Sequence, residues 1–169
     1  MIANQSVYCL DANVLIQAWQ KYWSPRLCPA YWELLNQLGS EKRVFLPEAI
    51  YDEIITTEDK LAKWLQQSKI PVHPIDAKVS ECLKKIYAHN PSHQYIVSSN
   101  GVHSAGDPWV IAHAMNNNAT VVTKEIKDVY TKPTKIKIPH VCDNMGIRWI
   151  NDFQFVEELE IEFSCNFKK

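Results

Sequence analysis

The sequence predicts an α/β fold in which helices cover both faces of a parallel sheet. Short apolar segments alternate along the chain with longer segments whose apolar residues recur every three or four positions. Strands and helices in this order form parallel sheets, because each helix carries the chain back across the sheet. The short segments are also apolar at consecutive positions, as strands buried on both faces should be.

The first half of the chain contains two predicted strands, at 6–10 and 43–46, and several predicted helices. Gly39 is expected to end the second of these helices, and Pro47 suits the first turn of the third. Residues 71–75 are expected to be short and extended. The apolar periodicity places the helices at 12–23, 30–39, 47–57, 60–67 and 77–89.

The second half begins with a long irregular segment and then contains two more predicted strands. Residues 90–106 have no apolar period and are rich in Pro, Ser, Asn and Gly, so a loop with at most one helical turn is expected. A lysine-rich connector is predicted at 124–139. The other elements are a helix at 107–117, a strand at 119–123, a helix at 140–146 ending at Gly146, a strand at 147–150 and a helix beginning at 151.

Length and composition predict one globular domain over residues 1–169, with 46% apolar and 22% charged residues. A net charge of -1 excludes nucleic-acid binding by bulk positive charge, although not by a local basic strip or a bound metal. The five cysteines are odd in number and form no CxxC, so reduced thiols in the cytoplasm are expected. Neither a signal peptide nor a membrane span is expected.

Acidic residues recur just after the predicted strands. The carboxyl ends of parallel strands meet at one edge of a sheet, where α/β proteins bind ligands, so these acids are expected to share a cleft. Converging carboxylates repel one another unless a cation lies between them, and oxygen-only clusters suit Mg²⁺ or Mn²⁺. Such ions support phosphodiester hydrolysis. The acids that follow strands are Asp11, Glu48, Glu53, Glu125 and Asp128, and Asp107 begins the helix before the third strand.

Each acid also has a purely structural explanation. Asp11 could cap the helix that begins at residue 12, and Asp107 with Pro108 is a preferred pairing of a cap with a first-turn proline. Glu53 and Glu125 could be ordinary exposed charges. Taken together, the acids favour a cation site, because unrelated charges have no reason to recur at one edge of the sheet.

Four motifs resemble those of the PIN-domain nucleases. They are LDANVLI at 10–16, LPEAIYDEI at 46–54, GDPWVIAHA at 106–114 and VVTKE at 121–125. They follow the family's order over nearly the whole chain and are most similar to a toxin-like, single-domain, PIN-like subfamily of unknown function. The resemblance implies a three-layer α/β/α sandwich with a central mainly parallel sheet.

The resemblance also implies a Mg²⁺- or Mn²⁺-dependent ribonuclease whose catalytic and metal-ligating acids are Asp11, Glu53, Asp107 and Glu125. Asp11 and Asp107 would hold the main ion, and Glu53 would ligate it or orient the attacking water. Glu125 would support a second ion. Its position is often Asp in the family, so Asp128 stays open as the fourth acid.

Asn13 and Thr123 are implied as supporting polar residues, and Glu48 is a weaker rival to Glu53. Asn13 also disfavours an aspartyl-nucleophile phosphatase, which needs a second Asp at that position. Five connector lysines could contact phosphates, although the sequence favours a solvated connector. They are Lys124, Lys127, Lys132, Lys135 and Lys137.

The implied substrate is RNA, cleaved to 5′-phosphate and 3′-hydroxyl ends. The size of the chain suits the toxin of a toxin–antitoxin pair, so a cognate antitoxin and a homodimer are the expected partners. The alternative is a PIN-like module that binds RNA or protein without catalysis.

Overall fold

The computed structural model describes residues 6–97, 105–129, 132–165 and 167, and a five-stranded parallel sheet lies at its centre. The strands are β1 (Tyr8–Leu10), β2 (Val44–Pro47), β3 (Val72–His73), β4 (Thr120–Val122) and β5 (Trp149–Ile150). Every neighbouring pair is parallel, and the order across the sheet is β3-β2-β1-β4-β5. The first strand of the chain is therefore the central one.

Helices flank this sheet and complete the predicted three-layer α/β/α sandwich. In the described residues they are α1 (Ala12–Gln20), α2 (Pro29–Ser40), α3 (Glu48–Ile55), α4 (Lys60–Gln67), α5 (Ala77–His89), α6 (Asp107–Asn117), α7 (Ile138–Met145) and α8 (Asp152–Glu158), with 3₁₀ helices at Pro91–Ile96 and Pro133–Lys135. None of these described helices is both long enough and apolar enough to cross a membrane.

The strands are apolar at consecutive positions because both faces of the sheet are covered. All three residues of β1 are at most 2% exposed, and Val121 and Val122 of β4 are fully buried. Leu10 pairs with Val122, which pairs with Ile150 on the other side. Three strands therefore end at one level, and the residues that follow them lie in a row at one edge of the sheet.

Two predictions about single residues are wrong. Gly39 does not end α2, which continues to Ser40. A Cβ atom on Gly39 would lie 2.6 Å from the backbone oxygen of Lys69, so the glycine allows a close approach of two chain segments. Pro47 is the last residue of β2 and the N-cap of α3 instead of lying in its first turn.

The predicted elements otherwise occur with small changes of boundary. The extended segment at 71–75 pairs with β2 and adds β3 as a fifth strand, because the tertiary structure gives it a partner. Helix α1 ends at Gln20, and α7 begins two residues before its predicted start. The predicted loop at 90–106 contains a 3₁₀ helix, and residues 98–104 lie outside the described residues.

Candidate active site

Asp11 is the buried carboxylate at the centre of the candidate site. It follows β1, is 1% exposed, and donates its backbone N–H to the oxygen of Val122 at 3.0 Å. Its Oδ2 atom accepts a hydrogen bond from Oγ1 of Thr123 at 3.0 Å, whereas its buried Oδ1 atom has no hydrogen-bond partner. Asp11 is the N-cap of α1 but makes no side-chain capping bond, so capping does not explain it.

The electrostatic environment of Asp11 opposes its ionisation. Burial raises the pKa of Asp11 to about 7, whereas hydrogen bonds from the Thr123 side chain and from the backbone of Ala12 lower it. The negative charges of Glu125 and Glu53 raise this pKa further. The charges of two acids predicted for the site therefore raise the pKa of Asp11. A cation beside Asp11 would offset the cost of burying its charge and the repulsion from these acids.

Thr123 and Glu125 extend the site from the end of β4. Thr123 is fully buried, and its backbone N–H donates to the oxygen of Ile150 at 3.0 Å. Its Oγ1 accepts from the backbone N–H of Glu125 at 3.1 Å while donating to Asp11. Oε2 of Glu125 accepts from the backbone N–H of Ile138 at 2.7 Å, so this carboxylate lies against the first turn of α7.

Asp128, the alternative fourth acid, is placed differently. It is exposed, and its Oδ2 lies 2.8 Å from Nζ of Lys137. Lys137 also lowers the pKa of Asp128, so this carboxylate is stabilised as an anion by a neighbour on the connector. Asp128 therefore pairs with a lysine, whereas Glu125 lies near enough to Asp11 for its charge to raise the pKa of Asp11.

Asp107 is the first residue of α6 and is 4% exposed. Gly106 is the N-cap, so the interpretation of Asp107 as a cap is wrong. Sγ of Cys9 on β1 donates to the backbone oxygen of Val110 at 3.5 Å, which holds the first turns of α6 against the central strand. Asp107 is thus buried near β1, the strand that Asp11 follows.

Glu53 is exposed on α3 and lines an open groove of about 460 Å³ with Gly106 and Trp109. The groove passes beside the start of α6, and Trp109 is half-buried against the core. Glu48 turns elsewhere, because its Oε2 accepts from the backbone N–H of Ile75 at 3.2 Å. Glu53 is therefore better placed than Glu48. Asn13 is exposed on the first turn of α1.

These residues fit a hard cation in part. The unpartnered Oδ1 of Asp11 is a suitable ligand, and the surrounding donors are carboxylate oxygens, which Mg²⁺ and Mn²⁺ prefer. Within the described ranges, however, no three His, Cys, Asp or Glu side chains are grouped closely enough to hold an ion. An ion at Asp11 would need Glu53 or Glu125 to turn toward it.

The family of this chain is identified by a family model. A family model described as DUF4411, a domain of unknown function, matches residues 8–163. The chain belongs to the DUF4411 family. No curated protein sequence matches the chain significantly.

Two solved structures have a similar fold. One is VapBC2 from Rickettsia felis, solved with a DNA fragment from its promoter. It gives a TM-score of 0.53 and 14% sequence identity, and the match covers 86% of this chain and 98% of that chain. FitAcB from Neisseria gonorrhoeae gives 0.50 at 15% identity over 87% and 99%. This DUF4411 protein therefore has the predicted PIN-like fold.

Asp152 is a buried acid that sequence reasoning missed in this DUF4411 protein. It begins α8 after β5, is fully buried, and accepts hydrogen bonds from Tyr22 at 2.5 Å and from Nζ of Lys124 at 2.9 Å. Lys124 lies between Thr123 and Glu125 in the chain. The rule that strand ends carry functional residues would have found Asp152 if it had been applied to the last strand.

Three of the connector lysines pair with acids of the protein itself. Lys124 pairs with Asp152, Lys127 with Asp143, and Lys137 with Asp128. Lys132 and Lys135 are exposed. These pairs agree with a connector whose lysines serve the local structure more than a continuous phosphate-binding strip.

Proposed function

We propose that this DUF4411 protein is a metal-dependent endoribonuclease that hydrolyses RNA phosphodiester bonds at Asp11. The observation that carries the proposal is the buried Oδ1 of Asp11, which has no hydrogen-bond partner and lies in the field of two other acids. A buried charge without compensation destabilises a fold strongly. A cation at Asp11 explains why such a group stands at the centre of the sheet edge.

Asp11 and Asp107 would hold the main ion, and Glu53 would ligate it or orient the attacking water. Thr123 fixes Oδ2 of Asp11, which leaves Oδ1 for the ion. Glu125 would leave the N–H of Ile138 and support a second ion. When bound, Mg²⁺ or Mn²⁺ supplies an activated water and stabilises charge on the phosphate oxygens. The products would carry 5′-phosphate and 3′-hydroxyl ends.

The test is cleavage of end-labelled RNA by the purified chain with Mn²⁺ or Mg²⁺. We expect cleavage that EDTA stops and that the Asp11→Asn, Asp107→Asn double variant lacks. The variants remove charge at nearly constant volume, and circular dichroism would check that they fold. Metal-dependent cleavage that survives in the double variant would place the reaction elsewhere in the molecule.

The proposed biological role is the toxin of a toxin–antitoxin pair in the cytoplasm. The PIN-like fold shared with VapBC2 and FitAcB, together with the four sequence motifs, supports this role. The expected partner is then a cognate antitoxin, and a homodimer is the expected assembly. Inducing the wild-type chain alone in bacteria should arrest growth, whereas the Asp11→Asn chain at equal expression should not. Equal growth with both chains would contradict this role without bearing on cleavage in vitro.

The second candidate function is a PIN-like module that binds RNA or protein without catalysis. The observation in its favour is that, among the described residues, no three acidic side chains are grouped closely enough to hold an ion. Metal binding separates the two functions, because a module that takes no ion gains no stability from Mn²⁺.

A further inference from the structure

We propose that a small pocket between the lysine-rich connector, helix α7 and the 3₁₀ helix Pro91–Ile96 binds the phosphate group of a phosphate monoester. The pocket has a volume of about 210 Å³. The inference goes beyond the proposed ribonuclease function, because phosphate binding here needs neither a metal ion nor cleavage. The described residues that line the pocket include Ser92, Lys127, Lys132, Ile136, His140 and Asn144.

The charges of the pocket favour an anion. Lys127 and Lys132 supply positive charge, and no Asp or Glu is among the described residues that line the pocket. Lys132 is exposed and has no ion-pair partner within the described ranges. Lys127 pairs with Asp143, but both side chains are at least 40% exposed, and such a pair contributes little to stability. Lys127 can therefore share its charge with a bound anion at small cost.

The groove beside the candidate active site has the opposite character. Its described lining residues include Asp52 and Glu53 and contain no lysine or arginine. Without a metal ion, these carboxylates repel a phosphate, whereas the lysines of the pocket attract it. Phosphate binding in EDTA therefore reports on the pocket and not on the groove.

Asn144 is fixed on the pocket wall by a buried histidine. Nδ1 of His93 lies 2.7 Å from the backbone oxygen of Ile86, which can only accept, so Nδ1 carries the ring hydrogen and Nε2 is an acceptor. Nδ2 of Asn144 therefore donates to Nε2 of His93 at 2.9 Å. Burial lowers the pKa of His93 and so favours this neutral ring. The second N–H of the Asn144 amide can donate to a group in the pocket.

His140 supplies another donor from the same helix. Its Nδ1 accepts from the backbone N–H of Lys137 at 3.2 Å, so Nε2 carries the ring hydrogen. This Nε2 lies 3.3 Å from the backbone oxygen of Asp128, which is long for a hydrogen bond between nitrogen and oxygen. An anion in the pocket can therefore compete for it. Ile136 is buried and gives the pocket an apolar side.

The size of the pocket and its donors favour a single phosphate group. Pockets that enclose a whole drug-sized ligand typically measure about 300–1,000 Å³, so the smaller volume here suits one group. A phosphate monoester carries close to two negative charges and three acceptor oxygens, which match two lysines and the donors of α7. A carboxylate offers one charge and two oxygens. Free nucleotides and the phosphorylated ends of RNA share this phosphate chemistry.

The test is calorimetric titration of the full chain in EDTA at low ionic strength, where exposed charges are little screened. The probes are inorganic phosphate, adenosine 5′-monophosphate and adenosine, and only the two phosphates should bind. Lys132→Gln should weaken binding of the monophosphate about tenfold, because it removes a charged hydrogen-bond donor. Lys135→Gln is the matched control, since Lys135 is exposed on the same connector and does not line the pocket.

A second titration identifies the source of the phosphate. The probe is one short RNA prepared with a 5′-phosphate or with a 5′-hydroxyl. Tighter binding of the phosphorylated RNA than of adenosine 5′-monophosphate and of the hydroxyl form would support the pocket with an RNA end as its ligand. Equal binding of the two RNAs, with binding of the monophosphate that depends on Lys132, would support it with a free nucleotide as its ligand.

Two results would overturn the pocket. One is the absence of binding by both inorganic phosphate and adenosine 5′-monophosphate. The other is an equal effect of Lys132→Gln and Lys135→Gln, because the general charge of the connector would then account for any binding. Failure of the proposed function is a separate result, in which the chain binds these phosphates but does not cleave RNA with Mn²⁺.

Discussion

Asp11→Asn is expected to make the metal-free protein more stable at pH 8, although it removes the residue on which cleavage should depend. In the wild-type chain, burial raises the pKa of Asp11 from 3.8 to about 7. This difference corresponds to roughly 4 kcal/mol of destabilisation once the carboxylate is ionised. The amide that replaces it carries no charge, but its unpartnered N–H costs about 1–3 kcal/mol. A net gain of roughly 2 kcal/mol is expected.

The sign of the pH dependence follows from proton linkage. A carboxyl group whose folded pKa is raised binds protons more tightly in the folded state, so its destabilisation is absent below pH 3.8. The wild-type chain should lose stability relative to Asp11→Asn as the pH rises from about 4 to about 7. Above that range the difference should be constant.

Urea unfolding in EDTA at several pH values from 4 to 8.5 measures this effect. Asp52→Asn, an exposed change of the same kind on α3, serves as the control and should follow the wild-type profile. A difference between Asp11→Asn and wild type that stays constant with pH would contradict the raised pKa. Mn²⁺ at pH 8 should then raise the melting temperature of the wild-type chain and not that of Asp11→Asn.

Glu125→Gln is expected to lower metal-dependent RNA cleavage roughly a hundredfold, while Asp128→Asn leaves it unchanged. Glu125 raises the pKa of Asp11 and is joined to it through Thr123. Asp128 is an exposed carboxylate paired with Lys137. The two acids lie three positions apart on the same connector. Comparing the two variants therefore tests how the position of each carboxylate relative to Asp11 affects cleavage.

The Glu125→Gln variant removes the negative charge but keeps the local hydrogen bond, because the glutamine oxygen can still accept from the backbone N–H of Ile138. Single-turnover cleavage rates at fixed Mn²⁺, with melting temperatures of both variants, measure the effect. Glu53→Gln and Glu48→Gln form a second matched pair on α3, in which only the first should lower the rate. A larger loss with Asp128→Asn than with Glu125→Gln would reverse the assignment of the fourth acid.

Local patterns predicted most of the fold. The helices at 60–67, 77–89 and 107–117 occur at their predicted bounds, because apolar periodicity is a property of neighbouring residues. The edge strand at 72–73 and the role of Gly39 could not be predicted in this way. Each depends on a segment distant in the chain, β2 in one case and Lys69 in the other.

By itself, the sequence determined the order of the elements and the placement of acids after the strands, since both follow from local composition and from the geometry of parallel sheets. Only the tertiary structure decided where each carboxylate points. In the structure Oδ2 of Asp11 accepts a hydrogen bond from Thr123, and Glu125 accepts one from the backbone of Ile138. Lys124 donates one to Asp152. The reason is that side-chain direction depends on packing between segments remote in the chain, and no local pattern contains that information.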